Sequence, residues 1–387
     1  MRESASLSNQ RTVLIGIDFG QDGFAESLEE LRLLAVSAGL DPVHTILAKR
    51  NRPDTALFAG AGKVEELRII MQANSAKLAI FNHELSPAQQ RNLEKVLEAR
   101  TLDRTSLILE IFGQRAKSHE GKLQVELAQL EHASTRLVRG WTHLERQRGG
   151  HGFLGGMGET QLEVDRRLIG RRVKILKDQL FKLKQQKRVQ RRLRDRAGVL
   201  SISLVGYTNV GKSTLFNTLT HADTFVADKL FATLDTTSRR FYLEGAGTIV
   251  ISDTVGFIHE LPHALVESFR TTLEETRSAD LLLHVVDSAS MRRDEQVAEV
   301  NKVLVEIGAD CVPQILVWNK IDIDRQGYSL DPGIERDEYG KISRVRLSAH
   351  SGSGVEYLRQ ALVESAVGLS NTSFAKAHGE FNSNELN

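Results

Sequence analysis

A single cysteine, Cys311, stands in 387 residues, so no disulfide can close within the chain. No Cys/His cluster has the spacing of a zinc site, and a lone thiol fits a reducing compartment. Long hydrophobic runs are also missing. No stretch approaches the ~20 apolar residues needed to span a bilayer, and the opening MRESASLSNQR lacks the apolar core of a secretory signal. The expectation is a soluble cytoplasmic protein. No internal repeat is present, and 41% hydrophobic with 26% charged residues is ordinary for globular domains. At this length two or three domains can each bury a core.

Net charge is nearly absent too, at +1, but the balance is local. Residues 115–197 hold 21 Lys and Arg against 9 Asp and Glu; of the 51 basic and 50 acidic residues, 30 and 41 are left for the rest. A segment at +12 beside a remainder at −11 points to a polyanionic partner for the basic part.

Residues 1–115 alternate apolar runs, TVLIGI (12–17), VHTILA (43–48) and LAIFN (78–82), with helical patterns near 25–38, 62–73 and 87–99. Ser86-Pro87 marks the start of the last helix. This predicts an N-terminal α/β domain. In residues 116–197, Leu123, Leu130, Leu137 and Leu144 recur every seven positions, as do Leu162, Ile169, Leu176 and Leu183, with Val173 and Leu180 between. Two such segments joined by a short loop predict an antiparallel helical hairpin. Its second arm carries 14 basic against 2 acidic residues over 166–196, too lopsided for a salt-bridge-laced helix, and RNA backbone contact is expected there. From 198 to 367 strands and helices alternate as in a mostly parallel sheet, and the polar tail 368–387 is expected to be disordered.

The loop GGHGFLGGMG (149–158) contains G-x-G-x-x-G, yet it follows a charged heptad helix rather than a strand, which excludes a dinucleotide turn. It suits a compliant hairpin tip that presents Phe153 to RNA.

The phosphate chemistry lies fifty residues on. The apolar strand VLSISLVG runs into GYTNVGKST, and Gly206, Gly211, Lys212 and Ser213 fit G-x-x-x-x-G-K-[ST] between strand and helix. Backbone amides of Gly206, Tyr207, Thr208, Asn209, Val210, Gly211 and Thr214 can wrap phosphates, Lys212 adds charge, and the Ser213 hydroxyl can ligate Mg²⁺. TIVISDTVG ends in Asp253, Thr254, Val255 and Gly256, where the carboxylate can hold Mg²⁺ through a water and the Gly256 amide can reach a γ-phosphate. In ILVWNKID, Asp322 can pair with N1–H and the exocyclic amine of guanine, a pattern adenine cannot supply. Asn319, Lys320 and Ile321 complete that segment, and Ser348, Ala349 and His350 suit a last base-contacting loop. In this order the motifs specify GTP. A further Mg²⁺ ligand should be a threonine, and chemistry alone leaves Thr224, Thr233, Thr236 and Thr237 open.

These residues resemble the HflX family of translation-associated GTPases, within the Obg/HflX branch, over about residues 12–365. The most specific likenesses are FAGAGKVEEL (58–67), DRTSLILEIFGQRA (103–116), GETQLEVDRR (158–167), LFATLD (230–235) and DTVGFIHELP (253–262). The tip loop departs from the family pattern, with Leu154 and Gly156 where an arginine and a proline are usual. The resemblance implies a Ras-like P-loop GTPase domain whose first switch supplies Phe231, Ala232, Thr233, Leu234 and Asp235, with Thr233 on Mg²⁺. It also implies binding to the large ribosomal subunit and its rRNA, and the splitting or rescue of stalled or idle ribosomes under stress. A monomer is expected, with Arg166, Arg167, Arg171 and Arg172 of the basic arm as the RNA contacts. Two alternatives stand beside it. One is a GTPase of tRNA modification or ribosome assembly; the other is a GTP-gated protein scaffold, which would not need a basic hairpin. The tRNA-modification family carries a cysteine near its C-terminus, whereas the cysteine here is Cys311.

Ras-like enzymes place a water-orienting glutamine directly after D-x-x-G. Phe257 occupies that position and cannot orient water, so Lys212, Asn209 and Gly256 are the catalytic candidates. Asn209 matches the P-loop asparagine that holds K⁺ in potassium-activated GTPases, so K⁺ joins Mg²⁺ as an expected cofactor. His284, in the apolar run LLLHVVD, reads as a packed core histidine.

Overall fold

The computed structural model describes residues 9–20, 23–147, 161–196, 199–221, 230–259, 263–323 and 330–382, without the side chains of 137–147, 161–162, 165, 190–196, 263–264, 266, 270–272 and 369–382. The chain divides into two compact units, residues 1–183 with 262–268, and residues 184–261 with 269–387.

The first unit opens with β1 (Arg11–Asp18), α1 (Phe24–Ser37), β2 (Asp41–Lys49), α2 (Ala61–Ala73), β3 (Leu78–Phe81), α3 (Pro87–Leu97), β4 (Arg100–Asp103) and α4 (Arg104–Arg115). The strands form a parallel sheet in the order β2-β1-β3-β4. Inner strands of such a sheet are covered on both faces, which is why β1 and β3 read as unbroken apolar runs. On one face Val13, Ile15 and Ile17 of β1 and Ala79 and Phe81 of β3 join Phe58, Val64, Leu67 and Leu93 in one core. Helix α3 starts on a full capping box: Ser86 accepts from the Gln89 amide, the Gln89 side chain accepts from the Ser86 amide, and Pro87 holds the first helical position.

Two long helices follow, α5 (His119–Gln147) and α6 (Gln161–Arg196). Leu123 and Leu127 of α5 bury against Leu176 and Leu180 of α6, with Leu130, Val173 and Leu183 beside them, so the heptad positions do form a seam. Loop 148–160, including Phe153, lies outside the described residues. Arg136 of α5 donates at 2.6 Å to the fully buried Asp103, which also accepts from the Ser106 and Leu85 amides. A buried carboxylate is tolerable with such partners.

The second unit holds β5 (Leu200–Gly206), α7 (Lys212–Thr220), β6 (Thr237–Leu243) and β7 (Gly247–Asp253). After α8 (His263–Ser268), which belongs to the first unit, come α9 (Arg270–Arg277), β8 (Leu281–Asp287), α10 (Arg293–Glu306), β9 (Gln314–Asn319), β10 (Gly333–Arg336), β11 (Ile342–Arg346) and α11 (Val355–Asn382). The seven-stranded sheet has the order β10-β11-β9-β8-β5-β7-β6, parallel except for its two edge strands. Ligands of open α/β sheets bind outside the carboxyl ends of the strands, and here β5, β7 and β9 deliver the three motifs to that edge.

Residues 100–115 form strand β4 followed by α4. One expectation is corrected. The tail expected to be disordered from 368 continues α11 to Asn382, since extending a helix already anchored by buried Leu358, Ala361 and Leu362 fixes one residue per added hydrogen bond.

Candidate nucleotide site

Five buried residues of β5, Ile202 to Gly206, carry the chain into the phosphate loop. Gly206 has φ 148°, and a Cβ there would stand 2.2 Å from the Val285 carbonyl oxygen of β8. Gly211 has φ 93°, with Asn319 Nδ2 2.3 Å from where a Cβ would be. Both positions demand glycine. Helix α7 then begins at Lys212, and among the described residues no side chain caps its N-terminus, the geometry of an anion site.

Lys212 is buried and donates to the carbonyls of Tyr207 at 2.7 Å and Gly206 at 3.1 Å. Burial lowers its pKa to about 8, and the nearby Asp253 carboxylate opposes that shift. Asp253 is buried in turn, which raises its pKa against the hydrogen bonds from Ser213 and Thr233. Ser213 Oγ donates to Asp253 Oδ2 at 2.6 Å, Thr233 Oγ1 donates to the same oxygen at 3.0 Å, and the two hydroxyls lie 2.8 Å apart. Among the described residues, Asp253 Oδ1 is buried with no hydrogen-bond partner. Two hydroxyls and a carboxylate with one oxygen left unsatisfied make a hard-oxygen donor set, which fits Mg²⁺. Of the four candidate threonines, Thr233 is the one beside Ser213; Thr237 opens β6 opposite Asp253, and Thr224 lies outside the described residues.

A cavity of about 300 Å³ opens over these groups. Most of the residues expected to bind GTP line it: Thr208, Asn209, Gly211, Lys212, Ser213, Thr214, Phe231, Ala232, Thr233, Thr254, Gly256, Asn319, Lys320, Asp322 and His350. Others expected there, Gly206, Tyr207, Val210, Leu234, Asp235, Asp253, Val255, Ile321, Ser348 and Ala349, are not part of its lining. Leu234, Val255 and Ile321 are buried in the surrounding core instead. Ile323 also lines the cavity, and nothing in its sequence setting signals that.

Asn319 spans two loops rather than facing outward. Its Nδ2 donates to Val210 O at 2.8 Å, and its Oδ1 accepts from the Ala349 amide at 2.8 Å. Lys320 pairs with Asp287 at 2.8 Å, and Asp322 is exposed at the cavity mouth. Phe257, in the position of the missing glutamine, is 1% exposed.

Comparison with known proteins agrees with this geometry. Residues 25–113 match a family model described as GTP-binding GTPase N-terminal, 115–194 one described as GTP-binding GTPase Middle Region, and 201–320 one described as 50S ribosome-binding GTPase. GTPase HflX of Escherichia coli is 51% identical over 92% of this chain and 83% of its own length. That of Magnetococcus marinus is 48% identical over 88% of this chain and 78% of its own. The chain belongs to the HflX family of GTPases. As a member of the HflX family it is a GTP hydrolase of the P-loop type. The solved complex of SsGBP with GDP resembles it at a TM-score of 0.52 and 25% identity, covering 93% of this chain and 99% of that one.

The arginines expected to touch RNA lie on α6 in the first unit. Arg166, Arg167, Arg171 and Arg172 are all exposed, and Arg172 forms a two-point pair with Glu126 of α5 at 2.6 and 2.9 Å. His284 is 1% exposed in β8, with burial lowering its pKa to about 4. No described helix is long and apolar enough to cross a membrane.

Proposed function

We propose that this HflX-family GTPase acts on the ribosome in the cytoplasm as a monomer. It binds the large subunit through rRNA and uses GTP binding and hydrolysis to split or rescue stalled or idle ribosomes during recovery from stress. The observation carrying this reading is the match of residues 201–320 to the 50S ribosome-binding GTPase model. The exposed arginines of α6 support it, since counterion release from a polyanion rewards a one-signed helix face. In this reading residues 1–115 form the N-terminal domain, 116–197 the basic hairpin, 198–367 the G domain and 368–387 a tail beyond it.

Within the G domain, Lys212 serves the β- and γ-phosphates and Asp322 reads guanine, while Asn319 holds the two loops that frame the base. Ser213 and Thr233, with Asp253 through a water, would hold Mg²⁺, which when bound offsets charge on the transferring phosphoryl group. Gly256 presents its amide to the γ-phosphate. The buried Phe257 offers nothing to orient water, so turnover by the isolated chain is slow. Asn209 would hold K⁺, which when bound would supply positive charge beside the phosphates; the ribosome is the other candidate stimulus for hydrolysis. GTP orders the switches around Thr233 and Gly256, and hydrolysis releases them.

Sedimentation with purified subunits and a non-hydrolysable GTP analogue tests the reading. Co-migration with the large subunit is expected. Migration with tRNA, or with a protein complex alone, would replace it with one of the two alternatives.

A further inference from the structure

Tyr207 was expected among the nucleotide contacts, yet its side chain serves another part of the site. Its phenol oxygen accepts a hydrogen bond from the His259 amide at 2.5 Å. That amide lies three residues past Gly256, in the segment that follows β7. The same segment is laced to the phosphate loop by its backbone: the Thr208 amide donates to Phe257 O at 2.7 Å, and the Phe257 amide donates to Gly206 O at 3.1 Å. Gly256 consequently sits so close to the loop that a Cβ there would stand 2.8 Å from Thr208 Cγ2 and 2.9 Å from its Cα.

We propose that Tyr207 is a positioning residue for GTP hydrolysis, its phenol acting as the latch that keeps Gly256 and its neighbours docked on the phosphate loop. Where a glutamine follows D-x-x-G, a side chain can compensate for backbone drift by reaching for water. Here that side chain is a phenylalanine buried at 1% exposure, so the backbone itself must be held in register. The two lacing bonds at Gly206 and Thr208 fix Phe257 alone, and such a pair leaves the chain free to peel away beyond it. The bond from His259 to Tyr207 is the third point, on the far side of Phe257, and it stops that peeling. The His259 ring adds a fourth, with Nδ1 3.3 Å from Glu299 of α10. Tyr207 suits the task because it belongs to the loop it grips with: its own carbonyl accepts from Lys212 at 2.7 Å. The inference rests on the assignment of Gly256 to the γ-phosphate made above.

Tyr207→Phe in the full-length protein removes the acceptor and keeps the ring. One net hydrogen bond is worth about 1 kcal/mol, a roughly fivefold effect. Amide exchange in residues 255–259 should quicken about fivefold with a GTP analogue bound. The kcat for GTP should fall by a similar factor, while KM and GDP affinity stay within about twofold, because GDP makes no demand on Gly256. A structural role would move GDP affinity together with kcat, and that outcome overturns the proposal, as does unchanged exchange and kcat. Failure of the Gly256 assignment looks different. In that case the wild-type protein itself shows the same exchange in residues 255–259 with GDP as with the GTP analogue, whatever Tyr207→Phe does.

Discussion

Asn319 Nδ2 lies 2.8 Å from Val210 O, so the residue that opens the guanine motif is bonded to the phosphate loop rather than aimed at the base. Its other amide atom receives the Ala349 N–H, also at 2.8 Å. Asn319→Ala should loosen both loops at once. Losing two buried bonds costs about 2–3 kcal/mol, roughly 100-fold in affinity, for GDP and GTP alike and with the preference for guanine intact. Asp322→Asn should do the reverse, trading guanine for xanthine while the loops stay braced. Competition titrations with guanine and xanthine nucleotides compare the two. An Asn319→Ala protein with altered base choice would show that Asn319 reads the base directly.

Burial brings Lys212 down to about 8, which gives nucleotide binding a pH signature. Below that pH the ammonium is already present when phosphate arrives. Above it, binding must take up a proton, so affinity should fall by up to tenfold per pH unit as the pH rises past 8. Fluorescent-GDP titrations from pH 7 to 9.5 read this directly. Lys212→Arg, whose guanidinium does not titrate in that range, should bind more weakly but with a flat profile. A flat wild-type curve would place the proton elsewhere.

Much of this architecture is legible in the order of the amino acids, and the exceptions have physical causes. The buried parallel strands β1, β3, β5 and β8 show themselves as apolar runs because both faces are covered. Strand β4, Arg100–Asp103, has only four residues, alternates nothing and owes its state to pairing with β3, so no local pattern announces it. In the site, spacing identifies the phosphate loop because glycine is forced at Gly206 and Gly211 by neighbours specific to this architecture. What spacing does not say is where side chains point. Asn319 and Tyr207 both belong to nucleotide motifs, and both turn toward other loops. Chemistry does not choose among four threonines either; the 2.8 Å approach of Thr233 to Ser213 is a long-range contact across 20 residues.

Thr233 and Ser213 share Asp253 but arrive from different elements, so their loss should read differently. Ser213 belongs to α7 and, in the proposed reading, would meet the cation with either nucleotide. Thr233 comes from the segment expected to order on the γ-phosphate. Thr233→Ala should leave GDP affinity within about twofold while the Mg²⁺ concentration needed for tight GTP-analogue binding rises about tenfold, the loss of roughly one hydrogen-bond-sized ligand contribution. Ser213→Ala should raise the Mg²⁺ requirement for both nucleotides. Equal losses for both nucleotides in Thr233→Ala would remove Thr233 from the switch.

His284 makes the stability of the second unit sensitive to acid. Burial holds its pKa near 4, against about 6.5 for an exposed histidine, so the native state keeps it neutral where the unfolded chain binds a proton. A depressed folded value contributes stability that is complete above pH 6.5 and is lost as the pH falls towards 4. The full loss is about 3 kcal/mol. Thermal unfolding across pH 4–7.5 should show wild type losing more than His284→Leu, since the leucine removes the titration and leaves the carboxylate contributions common to both. The leucine also forfeits the hydrogen bond with Gln314, so it should start less stable at pH 7.5 and the two curves should converge in acid. Parallel curves would mean that the unfolded state holds His284 in the same proton balance as the folded one, and the acid sensitivity would then belong to the carboxylates alone.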